Sequence, residues 1–302
     1  MPDRDEVDAV NAALLLRRPL LITGEPGVGK SSLAYRIARE LGLGGVLRWP
    51  ISSRSTLRAG LYEYDAIGRA QDAATTRHSP GPGPGPGSHD PSGSGAAGSG
   101  DVPDALSDSG IGHYLRLGPL GTALLPFSAP RVLLIDELDK SDIDLPNDLL
   151  DVFEEGEYRV TELNRMSARE PVVRVHTADP DLMADIVGGQ VRCRAFPVIV
   201  ITSNGEREFP PAFLRRCLRF SMKDPGEARL ADIVASHFAE RSDERTRRLI
   251  RDFLDHRGGR GLAADQLLNA VYLAGAGGRQ PADGWERLLD FLWQRLNPEA
   301  AE

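Results

Sequence analysis

The densest concentration of potential chemistry in this sequence is Gly24-Glu25-Pro26-Gly27-Val28-Gly29-Lys30-Ser31. It fits the pattern of a glycine, four variable residues and Gly-Lys-Ser/Thr at every fixed position. Gly24, Gly27 and Gly29 allow backbone conformations that a residue with a Cβ resists. Consecutive N–H groups can therefore turn toward a polyphosphate at the helix N-terminus. Lys30 adds a point charge suited to β- and γ-phosphates, and the Ser31 hydroxyl is a Mg²⁺ ligand type. Glu25, Pro26 and Val28 complete the cradle and Ser32 follows it, so the candidate nucleotide contacts run from Gly24 to Ser32.

A second group follows from Arg131-Val132-Leu133-Leu134-Ile135-Asp136-Glu137, where an apolar run ends in two carboxylates. In open α/β sheets ligands bind beyond the carboxyl ends of the strands, which is where this pair falls. Asp136 is placed to join a Mg²⁺ shell and Glu137 to polarise a water, the pleat of the strand sending adjacent side chains to opposite faces. A later apolar run, Pro197–Thr202, ends in Ser203-Asn204, and Asn204 is the polar residue placed to orient the attacking water. Asp139-Lys140-Ser141-Asp142 approaches a guanine-recognition pattern but has the wrong first residue and abuts the acids. ATP is therefore favoured over GTP.

The elements that must position these groups are legible from periodicity. Pro19–Thr23 reads as a buried strand before the glycine loop. Leu33, Ala34, Ile37, Ala38 and Leu41 give the following helix one apolar face, up to Gly42. Residues 5–17 form a short amphipathic helix, against which a nucleotide base could also rest. Val46–Ile51 is a second strand, and Leu57, Leu61, Tyr62 and Tyr64 are read as one helix. From about residue 75 to 110, with the shift starting near Ala73, composition turns to Ser, Gly, Pro and Asp. Such a segment buries too little apolar surface to offset its ordering entropy and is expected as a disordered surface insertion. Leu145, Leu149, Leu150, Val152 and Phe153 face one side of a helix, and Tyr158–Val160 with Val172–Val175 are read as a β-hairpin. Leu218–Met222 is the last strand. From Pro225 onward apolar faces recur at helical spacing, predicting four helices in a small bundle.

At 302 residues with 41% hydrophobic composition, the chain can bury a substantial core and divide into two globular parts. A net charge of −8 argues against a surface built mainly to grip nucleic acid. The acidic start, Met1-Pro2-Asp3-Arg4-Asp5-Glu6, lacks the basic region of a secretory signal, and no apolar run reaches membrane-spanning length. These features point to a cytoplasmic protein without membrane insertion. Cys193 and Cys217 have neither CxxC spacing nor a nearby histidine pair, so no disulfide or metal framework is expected.

Together these motifs resemble those of the AAA+ ATPases and, within them, the MoxR-type proteins. The likeness runs from about residue 14 to 296, broken by the insertion, with its motifs in the family's order. Gly24–Ser31 looks like Walker A, Leu133–Glu137 like Walker B and Asn204 like sensor 1. Leu214-Arg215-Arg216 is similar to the arginine-finger element, where Arg216 aligns best and Arg215 second. Leu117-Gly118-Pro119-Leu120 is similar to the segment that precedes the buried strand in MoxR proteins, and residues 158–195 sit where that group carries its insert. The resemblance implies an α/β P-loop NTPase over residues 1–224, with a five-stranded parallel sheet in the order 5-1-4-3-2. A C-terminal all-α lid domain would follow over 225–302. It further implies an ATPase working as a homo-oligomeric, hexameric ring, with an arginine of one subunit reaching the neighbour's γ-phosphate. Arg260, in Gly258-Gly259-Arg260-Gly261-Leu262, becomes the candidate sensor 2, though the local sequence departs from the usual form.

The leading functional expectation is an ATP-hydrolysing motor that remodels a protein client; MoxR-type proteins often act with von Willebrand factor A-domain partners. A nucleic-acid-directed AAA+ component, a helicase or restriction-type translocase, is the alternative, against which the acidic balance weighs. A P-loop small-molecule kinase is the third, and the arginine pair and helical lid count against it.

Overall fold

A computed structural model describes residues 4–78, 110–223, 226–227, 230–231, 234–235, 244–257, 264–275, 288–289 and 291–293. In chain order the elements are α1 (Arg4–Leu16), β1 (Leu20–Thr23), α2 (Lys30–Glu40), β2 (Leu47–Pro50), α3 (Leu57–Leu61), β3 (Tyr62–Tyr64) and α4 (Ala66–His78). Next come β4 (Leu115–Leu117), α5 (Pro119–Ala123), β5 (Val132–Asp136), α6 (Leu145–Glu155), β6 (Glu157–Arg159) and α7 (Thr161–Met166). The remainder are β7 (Val172–His176), β8 (Met183–Val187), β9 (Gln190–Arg192), β10 (Val198–Ser203), α8 (Pro211–Arg216), β11 (Leu218–Ser221), α9 (Glu244–Arg257) and α10 (Ala264–Gly275). Contacts divide the chain into two compact units, one of residues 1–55, 128–155 and 195–302, the other of 56–127 and 156–194.

The first unit is α/β, built on a five-stranded, all-parallel sheet in the order β11-β1-β10-β5-β2. Every residue of β5 and β10 is buried, as continuous Val, Leu and Ile runs in a sheet covered on both faces require. Leu20, Ile22, Leu33, Ala34, Ile37, Ala38, Leu134 and Val200 belong to one apolar cluster, so the helical face read from the sequence packs on the sheet except at Leu41, which caps the helix and is exposed. The register levels the carboxyl ends, Thr23 lying beside Ser203 and Ser221, and Pro50 beside Asp136. Toward the C-terminus α9 and α10 share a second apolar cluster through Leu249, Phe253, Leu267 and Val271. The other two helices expected beyond residue 225 fall largely outside the described residues.

The second unit carries a six-stranded mixed sheet in the order β3-β4-β7-β8-β9-β6. Its strands are short, and Leu115, Leu117, Val173, Val175, Ile186 and Val191 alternate inward, the period-2 pattern of a sheet with one wet face. Gly121 lets two segments approach closely, since a Cβ there would meet the Leu61 carbonyl oxygen at 1.9 Å.

Three expectations are corrected. Tyr158–Val160 and Val172–Val175 are not hairpin partners: β6 pairs with β9 and β7 with β8, because α7 follows β6 and carries the chain away from it. Tyr62 and Tyr64 belong to β3 rather than to the helix of Leu57 and Leu61; Tyr62 is already extended at φ −164°, ψ 157°. The insertion placed at 75–110 does not begin as irregular chain. Residues 75–78 close α4, where Thr-Thr-Arg-His contains neither Gly nor Pro to stop a helix, and residues 79–109 lie outside the described residues.

Candidate functional site

The carboxyl ends of β1, β5 and β10, three neighbours in the parallel sheet, bring together Lys30, Ser31, Asp136 and Asn204. Gly24 follows β1 with φ +155°, and a Cβ on it would meet the Met222 carbonyl oxygen at 2.6 Å, so only glycine fits. Gly29 caps α2 in the left-handed conformation at φ 96°, ψ 23°, which swings Lys30 into the first turn. Lys30 is 6% exposed. Its Nζ donates to the carbonyl oxygens of Gly24 at 2.6 Å and Glu25 at 2.9 Å and to Asn204 Oδ1 at 2.7 Å. Burial pushes the ammonium below its ordinary pKa, an effect opposed by the surrounding carboxylates of Asp139, Glu137, Glu25 and Asp136. Glu25, Pro26 and Gly27 are exposed at the tip of the loop, Val28 is buried beneath it, and Ser32 is exposed on α2.

Asp136 ends β5 and is 5% exposed. Its Oδ1 accepts from Ser31 Oγ at 2.6 Å and from Thr202 Oγ1 at 2.8 Å. Its Oδ2 accepts from Arg48 Nε at 3.1 Å and Nη2 at 2.6 Å. Burial alone would raise this carboxyl, but the hydrogen bonds from Ser31, Arg48 and Thr202 outweigh it and hold Asp136 below the usual carboxylate range.

Glu137 lies just past the strand and adopts φ 63°, ψ 50°. The pleat therefore does not separate the two acids, as the sequence suggested; a left-handed residue does. That conformation costs about 1 kcal/mol or more outside glycine and persists where surroundings enforce it. Here the Glu137 amide donates to Thr202 Oγ1 at 2.9 Å, and Lys140 Nζ donates to Glu137 Oε2 at 2.8 Å. Asp139 and Lys140 of the guanine-like decoy thus both serve the site, Lys140 through Glu137 and Asp139 through the turn after β10. Asp139 is 3% exposed, and its Oδ2 accepts from the amides of Asn204 at 2.9 Å and Glu206 at 3.1 Å, fixing the turn that presents Asn204.

Comparison with known protein families and with curated proteins finds no match.

The two arginines of α8 are not drawn into this group. Arg216 pairs with Glu154 of α6, and Arg215 Nε donates to the Pro211 carbonyl oxygen of its own helix at 3.2 Å. Arg260 lies outside the described residues. Among the described residues no cluster of three or more His, Cys, Asp or Glu is arranged to hold a metal by itself. Ser31 and Asp136 nevertheless present adjoining hard oxygen donors, the set that suits Mg²⁺ when substrate phosphates complete the shell. The site at α1 is of another kind: Glu6, 2% exposed, accepts from Arg36 Nη2 of α2 at 2.5 Å and ties the two helices together.

Sequence reasoning missed Arg48, Thr202 and Asp139 as members of the site. A signal existed for Arg48, a lone cation in an otherwise apolar strand; nothing in spacing marked Thr202 or Asp139.

Proposed function

We propose that this chain is an AAA+ P-loop ATPase of MoxR type, binding Mg·ATP and hydrolysing it to ADP and phosphate to drive remodelling of a protein client. One observation carries the reading: a buried lysine from a glycine loop, a hydroxyl-bonded aspartate and a lysine-bound asparagine converge at the carboxyl ends of adjacent parallel strands. The five-stranded, all-parallel sheet is compatible with a P-loop core, for which we propose the strand order 5-1-4-3-2, and the helices after residue 225 are read as its lid. Magnesium, when bound, would neutralise charge on the phosphates and be held from Ser31 and Asp136. Lys30 places its ammonium against the β- and γ-phosphates, exchanging carbonyl partners for phosphate oxygens. Asn204 and Glu137 orient the attacking water, and Glu137 takes its proton. Asp136 remains ionised throughout. The absence of a guanine-recognition pattern favours ATP over GTP.

Arg216 is proposed as the finger that reaches the γ-phosphate of a neighbouring subunit in a homo-oligomeric, hexameric ring, with Arg215 as second choice and Arg260 as sensor 2. The client we propose is a protein, presented through a von Willebrand factor A-domain partner rather than through nucleic acid.

Glu137→Gln tests the reading. Binding of ATP should stay within about threefold of wild type, while phosphate release falls about 10²- to 10⁴-fold, the range for loss of a general base. Phosphate release at the wild-type rate would mean that another group is the base, and transfer of the phosphoryl group to a small acceptor would make the protein a kinase.

A further inference from the structure

The second carboxylate oxygen of Asp136 is held by a residue that the proposed ATPase chemistry does not use. A carboxylate offers about four lone-pair positions. This chain fills them all: the two hydroxyls of Ser31 and Thr202 on Oδ1, and Nε and Nη2 of Arg48 on Oδ2. A cation can reach Asp136 directly only by displacing one of these donors. Thr202 is 1% exposed and also supports the Glu137 amide, so it is locked by its second bond. Ser31 sits in the first turn of α2, where its hydroxyl can serve a metal without leaving the site. Arg48 differs from both, with a side chain 56% exposed on β2, at the edge of the sheet. Its guanidinium can move into water, where its charge is fully solvated, once a cation takes its place on the buried Asp136.

We propose that Arg48 is a latch on the metal site: it occupies Asp136 Oδ2 in the unloaded protein and leaves when a divalent cation arrives with nucleotide. The latch keeps a buried carboxylate paired in the absence of metal, since an unpaired buried charge is costly. It also makes the metal compete for its ligand, so the affinity of the loaded state is set partly by a residue that never touches nucleotide. This inference rests on the metal–nucleotide reading above.

The test compares wild type, Arg48→Met and Arg48→Lys as full-length proteins. Binding of Mn²⁺ in the presence of a non-hydrolysable ATP analogue is followed by the electron paramagnetic resonance of free Mn²⁺, and binding of the analogue alone is measured in EDTA. Removing a competitor should tighten Mn²⁺ binding about tenfold in Arg48→Met, the size of one charge-assisted pair. Arg48→Lys, which keeps charge but loses the two-donor geometry, should fall between, and analogue affinity in EDTA should not change. Loss of a nearby positive charge would by itself tighten Mn²⁺ binding in Arg48→Met, so tightening in Arg48→Lys, which keeps the charge, separates a latch from simple repulsion. Unchanged or weaker Mn²⁺ binding in Arg48→Lys, with the analogue still bound, would overturn the latch. Failure of wild type to bind the analogue at all, with or without Mn²⁺, would instead remove the nucleotide reading on which it rests.

Discussion

The two sheets of this protein handle charge in opposite ways. In the parallel sheet the central strands are apolar and buried along their whole length, and polar residues gather only at the carboxyl ends. There Asp136, with a side chain 7% exposed, meets four donors from three different segments. In the mixed sheet the strands alternate, and charge lies along the wet face: Arg174 pairs with Asp185 directly across β7 and β8, at 2.9 Å and with side chains 57% and 45% exposed. Water screens the second pair and barely reaches the first carboxylate, so similar ion pairs carry different weight. A parallel sheet buried on both faces can expose functional groups only at its ends, where their surroundings are fixed by the strands on either side.

If chemistry is confined to that edge, the largest effect should come from the arginine proposed to reach the same edge of a neighbouring subunit. Arg216→Ala should lower ATP turnover by about 10³-fold or more, as loss of a finger does. Activity should return on mixing with Lys30→Ala subunits, measured as phosphate release at concentrations where rings form. No recovery in mixed rings would remove the shared site and leave Arg216 as a partner of Glu154 alone.

A second prediction sets the two aspartates against each other. Both are held below the ordinary carboxylate value, Asp136 because hydrogen bonds from Ser31, Arg48 and Thr202 overcome the effect of burial, and Asp185 by its hydrogen bond from Arg174. A carboxyl with a lower pKa folded than unfolded adds stability that is complete above its unfolded value, about 4, and is lost as pH falls through the folded one. Urea midpoints between pH 3 and pH 7 should therefore fall on acidification in wild type. Asp136→Asn should flatten that fall clearly. Asp185→Asn should change it little, because its carboxylate is half in water, and should leave turnover intact. Equal flattening by both would mean that burial does not separate the sheets as described.

The smallest effect is expected from Arg174→Ala, which should cost no more than about 1 kcal/mol by chemical denaturation and leave ATP binding unchanged. A larger loss would show that the wet face of the mixed sheet carries more than solvated charge.

The difference between the sheets also explains what was legible in the sequence. Val132–Asp136 and Val198–Ser203 announce themselves because a strand buried on both faces must be an unbroken apolar run, and the glycines at 24 and 29 because their backbone conformations exclude other residues. The mixed sheet was seen only in fragments. Three-residue strands such as β4, β6 and β9 are too short for a period to register, and β6 finds its partner beyond 30 residues of intervening chain. Tyr62 and Tyr64 read as helix for the same reason, as a three-residue strand follows α3 without a break. Within the site, Lys30, Ser31, Asp136 and Asn204 were readable from motif spacing. Arg48, Thr202 and Asp139 were not, because their roles arise from register between strands distant in sequence.

The proposed chemistry depends above all on Lys30 facing a triphosphate. Equilibrium titration of wild type and Lys30→Ala with a fluorescent, non-hydrolysable ATP analogue and Mg²⁺ tests this directly, with far-ultraviolet circular dichroism confirming that both are folded. Saturable binding by wild type and a loss of about 100-fold or more in Lys30→Ala is the predicted result, for a buried ammonium lost from phosphate oxygens. Equal affinity of the two proteins, or no binding by wild type, would contradict it.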